Sequence, residues 1–441
     1  MYPKVIKGKL YAYRTAISYV LLGLLFSAPF IKLNGEQLVL LNVLERKFVF
    51  FGLIFWPQDF YLFVLAMLTF MVFIVLFTVV FGRVFCGWVC PQTIFLEMVF
   101  RKIEIWIEGD HLKRRKLDEG PLTGEKIFKK VLKHTVFMVI SFLIANVFLA
   151  YIIGSETLLR IVSEPVSAHV SGFISICIFT VVFYLVFSKL RELVCLVICP
   201  YGRLQGVLLD NQTKIVAYDY ERGEPRGKRQ KNTVQTLGDC VNCNLCVDVC
   251  PTGIDIRSGT QMECINCTAC IDACDMVMKK IDRPTRLIGF KSEEEITKKS
   301  GSALNKRVYG YGAVLLVMIC TLSYLLISRS EVQTTILRAG GTLYQLRDKE
   351  GTVSNLYNVE LVNKASRAMD FEIEADDPAV KIQYIVKDTH LDYGASLKLT
   401  FFVIMPQKNI QEYKSSVKFK LIAEGKVIDR FETTFIAPPN N

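Results

Sequence analysis

Histidine is close to absent from this chain: there are four in 441 residues, His111, His134, His169 and His390. A membrane b-type cytochrome needs axial ligands, usually His, paired at one depth. His134 and His169 stand at opposite ends of their apolar runs and the other two lie in polar blocks, so no such pair forms and all four read as ordinary residues. No cysteine follows Cys320, so the last polar block has no disulfide to staple it and must rely on core packing. Charge is missing from five stretches, between Arg14 and Lys32, Asp59 and Arg83, Lys133 and Glu156, Glu164 and Lys189, and Arg307 and Arg329. These gaps exclude a uniformly soluble globule, and the 51% apolar content excludes a disordered tail.

About 20 apolar residues cross a bilayer core as a helix. Four of the five runs reach that length and the first spans at the lower limit, which predicts five membrane helices. The first run follows Lys4, Lys7, Lys9 and Arg14, as a signal peptide would. No small-residue cleavage site follows it, so it reads as a retained anchor. A sixth run, Phe48 to Gln58, is too short to cross and contains Pro57; it reads as an interfacial or re-entrant piece. Its aromatics suit interface packing better than a quinone pocket.

Basic residues concentrate on alternate loops. The segment from Arg83 to Lys133 carries eleven Lys and Arg, and the block from Lys189 to Arg307 is again basic, whereas the loop between the third and fourth runs has only Arg160. By the positive-inside rule the N-terminus lies inside, five helices cross and the C-terminus lies outside. The net charge of +11 is therefore tied to the membrane flanks and to anionic lipid, and it gives no ground for a nucleic-acid partner. Domains follow: 1–189 with four spans and an inner loop at 83–133, an inner block at 190–307, a fifth span at 308–328, and an outer block at 330–441.

Fourteen cysteines are the counterpart of the missing histidines. Eight follow one pattern twice, C-x2-C-x2-C-x3-C, at Cys240, Cys243, Cys246 and Cys250 and at Cys264, Cys267, Cys270 and Cys274. In bacterial two-cluster ferredoxins three thiolates of each run hold one [4Fe–4S] cubane and the fourth crosses to the other. Cluster 1 would take Cys240, Cys243, Cys246 and Cys274; cluster 2 would take Cys264, Cys267, Cys270 and Cys250. Pro251 follows the first run as that pattern requires, but Asp275 stands in the equivalent place after the second. Paired C-x2-C motifs also bind zinc. Eight cysteines in a doubled run with no histidine nearby favour the clusters.

A second repeat is G-R-V-F-C-G-W-V-C-P at 82–91 and R-E-L-V-C-L-V-I-C-P at 191–200. Each gives C-x3-C-P at the inner end of an apolar run. The i, i+4 spacing puts Cys86 with Cys90, and Cys195 with Cys199, on one helix face, and the prolines break or restart the helix. Four soft thiolates suit Cu(I) or an iron–sulfur site better than a hard cation. Buried cysteines also serve as small hydrophobes, and the unpaired Cys177 and Cys320 read that way. Trp88, inside the first pair, reads as an interface anchor.

The outer block changes character. Val359–Val362, Lys398–Val403 and Val417–Ile422 carry strand formers, and turns at Ala339–Gly341, Asp376–Pro378 and Glu424–Lys426 separate such runs. Some seven strands in about 110 residues predict a β-sandwich. Its 14 Lys and Arg against 15 Asp and Glu make it nearly neutral, and a docking role is the plainest reading.

Together, G-R-V-F-C-G-W-V-C-P-Q-T, C-P-Y-G-R-L-Q-G, the doubled ferredoxin run with C-P-T-G-I-D-I-R, and C-D-M-V-M resemble the CcoG/RdxA/FixG proteins, polyferredoxin-like accessory proteins of cbb-type cytochrome c oxidase. The resemblance covers nearly the whole chain. It implies a five-span helical bundle with an inserted two-cluster ferredoxin domain and an outer, periplasmic immunoglobulin-like sandwich, in a bacterial inner membrane. It also implies reduction of Cu(II) to Cu(I) for the oxidase or its copper-delivery factors. Cys86, Cys90, Cys195 and Cys199 would be the copper-handling thiols, with copper as substrate or bound ion and an electron donor that the residues do not name. Membrane ferredoxin subunits that oxidise quinol share some of these motifs, so a quinol-oxidising subunit and a non-redox scaffold or copper chaperone remain alternatives. So does a third iron–sulfur centre at the four membrane-edge thiols.

Overall fold

The computed structural model describes residues 2–438 apart from 34, 44–46, 228–236, 300–305, 342, 348–350, 366, 386–388 and 411. The last three residues of the outer block lie outside the described residues. The chain forms two compact units, one of Met1–Ile31 with Phe63–Leu322 and one of Lys32–Leu62 with Ser323–Asn441.

Among the described residues five helices are long and apolar enough to cross a membrane: Lys9–Ser27, Phe60–Phe81, Gly124–Ile153, Val170–Leu190 and Lys306–Ile327. They coincide with the five charge-free runs. The third opens on Thr123, whose hydroxyl accepts the Lys126 N–H, and stops at Gly154, where φ is +91°. A left-handed glycine ends a helix without the Cβ penalty.

Within the first unit, Ile215–Tyr218 pairs antiparallel with Ile288–Lys291 and brings the two ends of the cysteine-rich segment together. Ile271, Met278, Leu287 and Ile288 form its core with Val216. The helix Ala269–Lys280 carries Cys270 and Cys274. Between them Asp272 accepts the N–H groups of Leu10, at 3.3 Å, and Tyr11, at 2.8 Å. The first turn of the first span is thus capped from another part of the chain, which also favours a carboxylate at a helix N-terminus.

The inner loop is held by a buried ion network. Glu104 receives Arg114 at 2.6 Å, Arg191 at 3.1 Å and Lys133 at 3.4 Å. Glu108 takes Lys130 and Lys133, both at 2.8 Å. Arg101 pairs with Glu97 and Glu192. Burial alone would raise the Glu104 carboxyl, but Arg191, Arg114 and Lys133 overcome that and bring it down to about 2. Arg191 and Glu192 lead into the second C-x3-C-P, so this network fixes where that motif begins.

In the second unit, a five-stranded sheet runs in the order Lys381–Tyr384, Ser396–Pro406, Thr352–Asn363, Val332–Arg338, with Gln345–Arg347 also on Thr352–Asn363. A four-stranded sheet runs His390–Leu391, Met369–Ala375, Lys414–Ala423, Lys426–Ile436. Tyr357, Leu361, Phe401, Phe419, Leu421 and Phe435 fill the core of these strands. Nine strands among the described residues replace the predicted seven. The Tyr357 hydroxyl pays its burial by donating to the Thr434 carbonyl at 2.8 Å.

Two expectations are corrected. Phe48–Gln58 is not a re-entrant stretch: Val39–Asn42, Lys47–Phe50 and Leu53–Phe55 form an antiparallel sheet belonging to the unit of the outer sandwich. Phe51 and Gly52, at φ +50° and +80°, make the tight turn that matches strand twist. Cys177 and Cys320 are exposed on their helices and do not pack in a core. The sandwich unit is also anchored by charge. Asp59 accepts Arg329 and Lys364, each at 2.6 Å, and is almost fully buried.

Candidate electron-transfer and metal-thiol site

The doubled cysteine run folds into two loops of matching shape. In C-V-N-C-N-L-C, Asn242 and Asn244 have φ +54° and +59°; in C-I-N-C-T-A-C, Asn266 and Thr268 have φ +52° and +67°. Asparagine tolerates this region and a β-branched threonine does not, so the second loop holds Thr268 there against its preference. Each left-handed pair coils the backbone around a cavity. One cavity has Cys240, Cys243, Cys246 and Cys274 in its wall. The other has Cys250, Cys264, Cys267 and Cys270, with Cys246 also in its lining. These are the two crossed quartets that the spacing predicts.

Arg257 braces the first loop. It donates to the side-chain oxygens of Asn242, Asn244 and Asp255 at 2.7, 2.8 and 2.7 Å. Asn266 does comparable work in the second: its Oδ1 accepts the Val216 N–H at 3.3 Å. Burial pushes Cys246 up to about 11, and Cys264 and Cys274 up to about 12, with neighbouring thiols adding to the rise at Cys246 and Cys274. Such thiols stay protonated until a metal displaces the proton. Thiols ringing a cavity are the donor set an iron–sulfur cluster takes.

The helix-end cysteines lie against the second loop. Gly87, between Cys86 and Cys90, packs so closely that a Cβ there would stand 2.3 Å from the Ile265 carbonyl oxygen and 3.1 Å from the Cys267 nitrogen. Trp88 Nε1 donates to the Asn266 carbonyl at 3.2 Å, so the indole fastens to the cysteine loop instead of serving only as an interface anchor. Arg14 donates to the Gly87 carbonyl at 2.8 Å. Arg83 ties three parts together, donating to the Met262 carbonyl before the second loop and to the Gly202 carbonyl after the second C-x3-C-P.

The two C-x3-C-P motifs face one another. Burial pushes Cys86 up to about 12, and the neighbouring Cys90 and Cys195 thiols add to it. Cys195 rises to about 11 through burial and then through Cys90 and Cys199. Burial also raises Cys90, while the backbone N–H groups of Thr93 and Gln92 oppose the rise. Each motif sits beside an altered helical turn. Cys195 lies in the π-helical turn Val194–Ile198, and a second π-helical segment, Phe95–Phe100, follows the first motif. Such turns widen a helix and recur at functional sites. Arg83, Thr93, Gln205 and Arg257 fall within the quoted motifs, but cysteine spacing marks neither them nor Asn266 as site residues.

Five membrane-length helices and two thiol-lined loops docked on a helix-end thiol group define a membrane iron–sulfur electron-transfer protein. Comparisons with known proteins agree. A 4Fe–4S dicluster domain matches residues 190–293, a 4Fe–4S binding domain matches 63–115, and the immunoglobulin-like fold at the C-terminus of FixG matches 322–438. Protein RdxA of Cereibacter sphaeroides is 33% identical over 396 residues, 86% of this chain and 82% of its own length. Protein RdxB of the same organism is 33% identical over 395 residues with the same coverage. Nitrogen fixation protein FixG of Rhizobium meliloti is 34% identical over 300 residues, 66% of this chain and 56% of its own. The chain belongs to the FixG/RdxA family.

Proposed function

We propose that this protein carries electrons from an inner donor through its ferredoxin domain to the C-x3-C-P thiols and there reduces Cu(II) to Cu(I) for assembly of a cbb-type cytochrome c oxidase. Cys240, Cys243, Cys246 and Cys274 hold one [4Fe–4S] cluster, and Cys264, Cys267, Cys270 and Cys250 hold the other. Each supplies a one-electron carrier when bound. The observation that carries the reading is the packing of Gly87 on Ile265 and Cys267, which places the second loop directly against the Cys86–Cys90 helix turn. Cys86, Cys90, Cys195 and Cys199 receive the copper ion. Cu(II) takes one electron and leaves as Cu(I), the softer ion, which thiolates prefer. Burial raises the Cys264 and Cys267 thiols, and the Arg83 and Arg14 guanidinium groups beside them offset only part of that rise.

The basic inner loops support an inside N-terminus and ferredoxin domain and an outside sandwich, where oxidase or copper-delivery partners would dock. One observation favours a second reading of the edge thiols. The 4Fe–4S binding domain at 63–115 includes Cys86 and Cys90, as a third cluster would require.

The test is Cu(II) reduction by purified, pre-reduced protein with Cu(I) trapped by a chelator. The control changes Cys86, Cys90, Cys195 and Cys199 to Ser and keeps both loops. Rapid reduction by the parent alone supports the proposal. Equal rates move copper reduction to the loops, and no reduction by either leaves a quinol-oxidising or scaffold role. Iron well above about eight atoms per chain indicates the third cluster.

A further inference from the structure

The two cysteine loops sit in different charge surroundings. Around the first, the described arginines are matched by carboxylates. Arg257 meets Asp255 at 2.7 Å. Asp239, next to Cys240, takes Arg222 at 2.8 Å and Arg283 at 3.3 Å, and Asp275, next to Cys274, takes Arg286 at 3.5 Å. The second loop instead meets two buried arginines whose bonds go to neutral carbonyls. Arg14 is 4% exposed and donates to the carbonyl of Gly87, the residue packed against the Ile265 carbonyl and the Cys267 nitrogen. Arg83 is 6% exposed, donates to the Met262 and Gly202 carbonyls, and lines one cavity together with Cys264 and Asn266. Its Nε is buried without a partner. Neither arginine has a carboxylate partner among the described residues.

The carboxylates near the second loop do not cancel this charge. Asp248 and Glu263 are exposed, where solvent screens them. Glu97 is taken by Arg101. Asp272 stands midway between Cys270 of one quartet and Cys274 of the other, so it favours neither. An electron added to an iron–sulfur cluster adds negative charge, and net charge and solvent exposure tune its potential. Exposure favours the first quartet, but only through Cys243, the one exposed thiol of the eight. Burial lowers the local dielectric and strengthens the pull of a fixed cation. Two uncompensated guanidinium groups against none therefore decide the order.

We propose that Arg14 and Arg83 make the cluster on Cys250, Cys264, Cys267 and Cys270 the better electron acceptor of the two, and so direct electrons from the first loop to the loop that lies against the Cys86–Cys90 turn. One electron leaves the first cluster and one arrives at the second; no atom or proton moves. The inference rests on the reading that each loop holds a cluster, and it is independent of copper.

The experiment is a dithionite titration of the full-length, detergent-purified protein, poised with mediators and read by paramagnetic resonance, with iron counted alongside. The double variant C264S, C267S removes the second signal and so assigns the two. Expected in the parent is a higher potential for the second signal. R14Q and R83Q should each lower it by about 59 mV, the shift of a ~10-fold weaker one-electron acceptor, and leave the first signal in place. R14K and R83K keep the charge and should stay close to the parent. A lower potential for the second signal in the parent overturns the direction of flow. Gln variants with both potentials unmoved, or Lys variants that fall as far as the Gln ones, overturn the role of charge. If R83Q loses iron, R14Q decides, because Arg14 makes no bond to the second loop's own backbone. A parent with about four iron atoms sinks the two-cluster reading itself, whereas about eight with unmoved potentials sinks only this inference.

Discussion

The eight loop cysteines and the four helix-end cysteines share one side chain, and the protein holds them in different ways. Each loop quartet surrounds its own cavity, shaped by left-handed residues at matching positions and braced locally by Arg257 or Asn266. The helix-end thiols owe their placement to distant chain: Gln205 for Cys86, Thr93 for Cys195, and the Glu104 network for the start of the second motif. Local support makes the loop set robust to changes elsewhere. Long-range support makes the helix-end set sensitive to the packing of the whole inner unit.

The largest expected break of this contrast is Cys264→Ser with Cys267→Ser. Iron and sulfide should fall from about eight to about four atoms per chain, and one of two cluster signals in the paramagnetic resonance spectrum should vanish, while the helix-end thiols stay in place. Unchanged iron would show that the second loop holds no cluster.

Acid should separate the two sets next. The Glu104 carboxyl is depressed in the folded protein from an ordinary 4.5 to about 2. Its stabilisation is therefore complete above the ordinary value and is lost as pH falls from about 4.5 toward about 2. The shift corresponds to about 3 kcal/mol. Thermal unfolding in detergent should show this acid sensitivity in the parent. E104Q should be destabilised at neutral pH and should lose the pH dependence in that window.

Gly87→Ala probes the junction between the sets. The added Cβ meets backbone at 2.3 Å, and backbone cannot step aside as a flexible side chain can. The expected destabilisation is about 1–3 kcal/mol. Iron content should hold while electron delivery from reduced protein to copper slows, a split that stopped-flow absorbance would measure. Arg257→Met should have a more local effect. It removes charge-assisted bonds to Asn242, Asn244 and Asp255, each worth about 1.5–3 kcal/mol before relaxation. Chelators should then strip iron from the first loop faster than from the second.

Much of this was legible in sequence because the signals are local. Charge-free runs predict the five helices, and the doubled cysteine spacing predicts the crossed quartets. The strand formers at 398–403 and 417–422 predict sandwich strands. What escaped depends on contacts distant in sequence. Cys86 and Gln205 are 119 residues apart, and nothing in C-P-Y-G-R-L-Q-G marks that glutamine as a partner of the other repeat. Phe48–Phe55 was misread for a different reason. Its apolar residues show no period-2 alternation, and the turn at Phe51-Gly52 is signalled only by one glycine within an aromatic run.

The clamp on Asp59 has a consequence for biosynthesis. Its cationic partners, Arg329 and Lys364, lie 270 and 305 residues further along the chain. At ~5–20 residues per second, Asp59 waits on the order of tens of seconds for them to be synthesised. Until then the carboxylate at the head of the second span has no permanent home. The ion cluster that ties the Lys32–Leu62 segment to the sandwich strands can therefore close only late in synthesis.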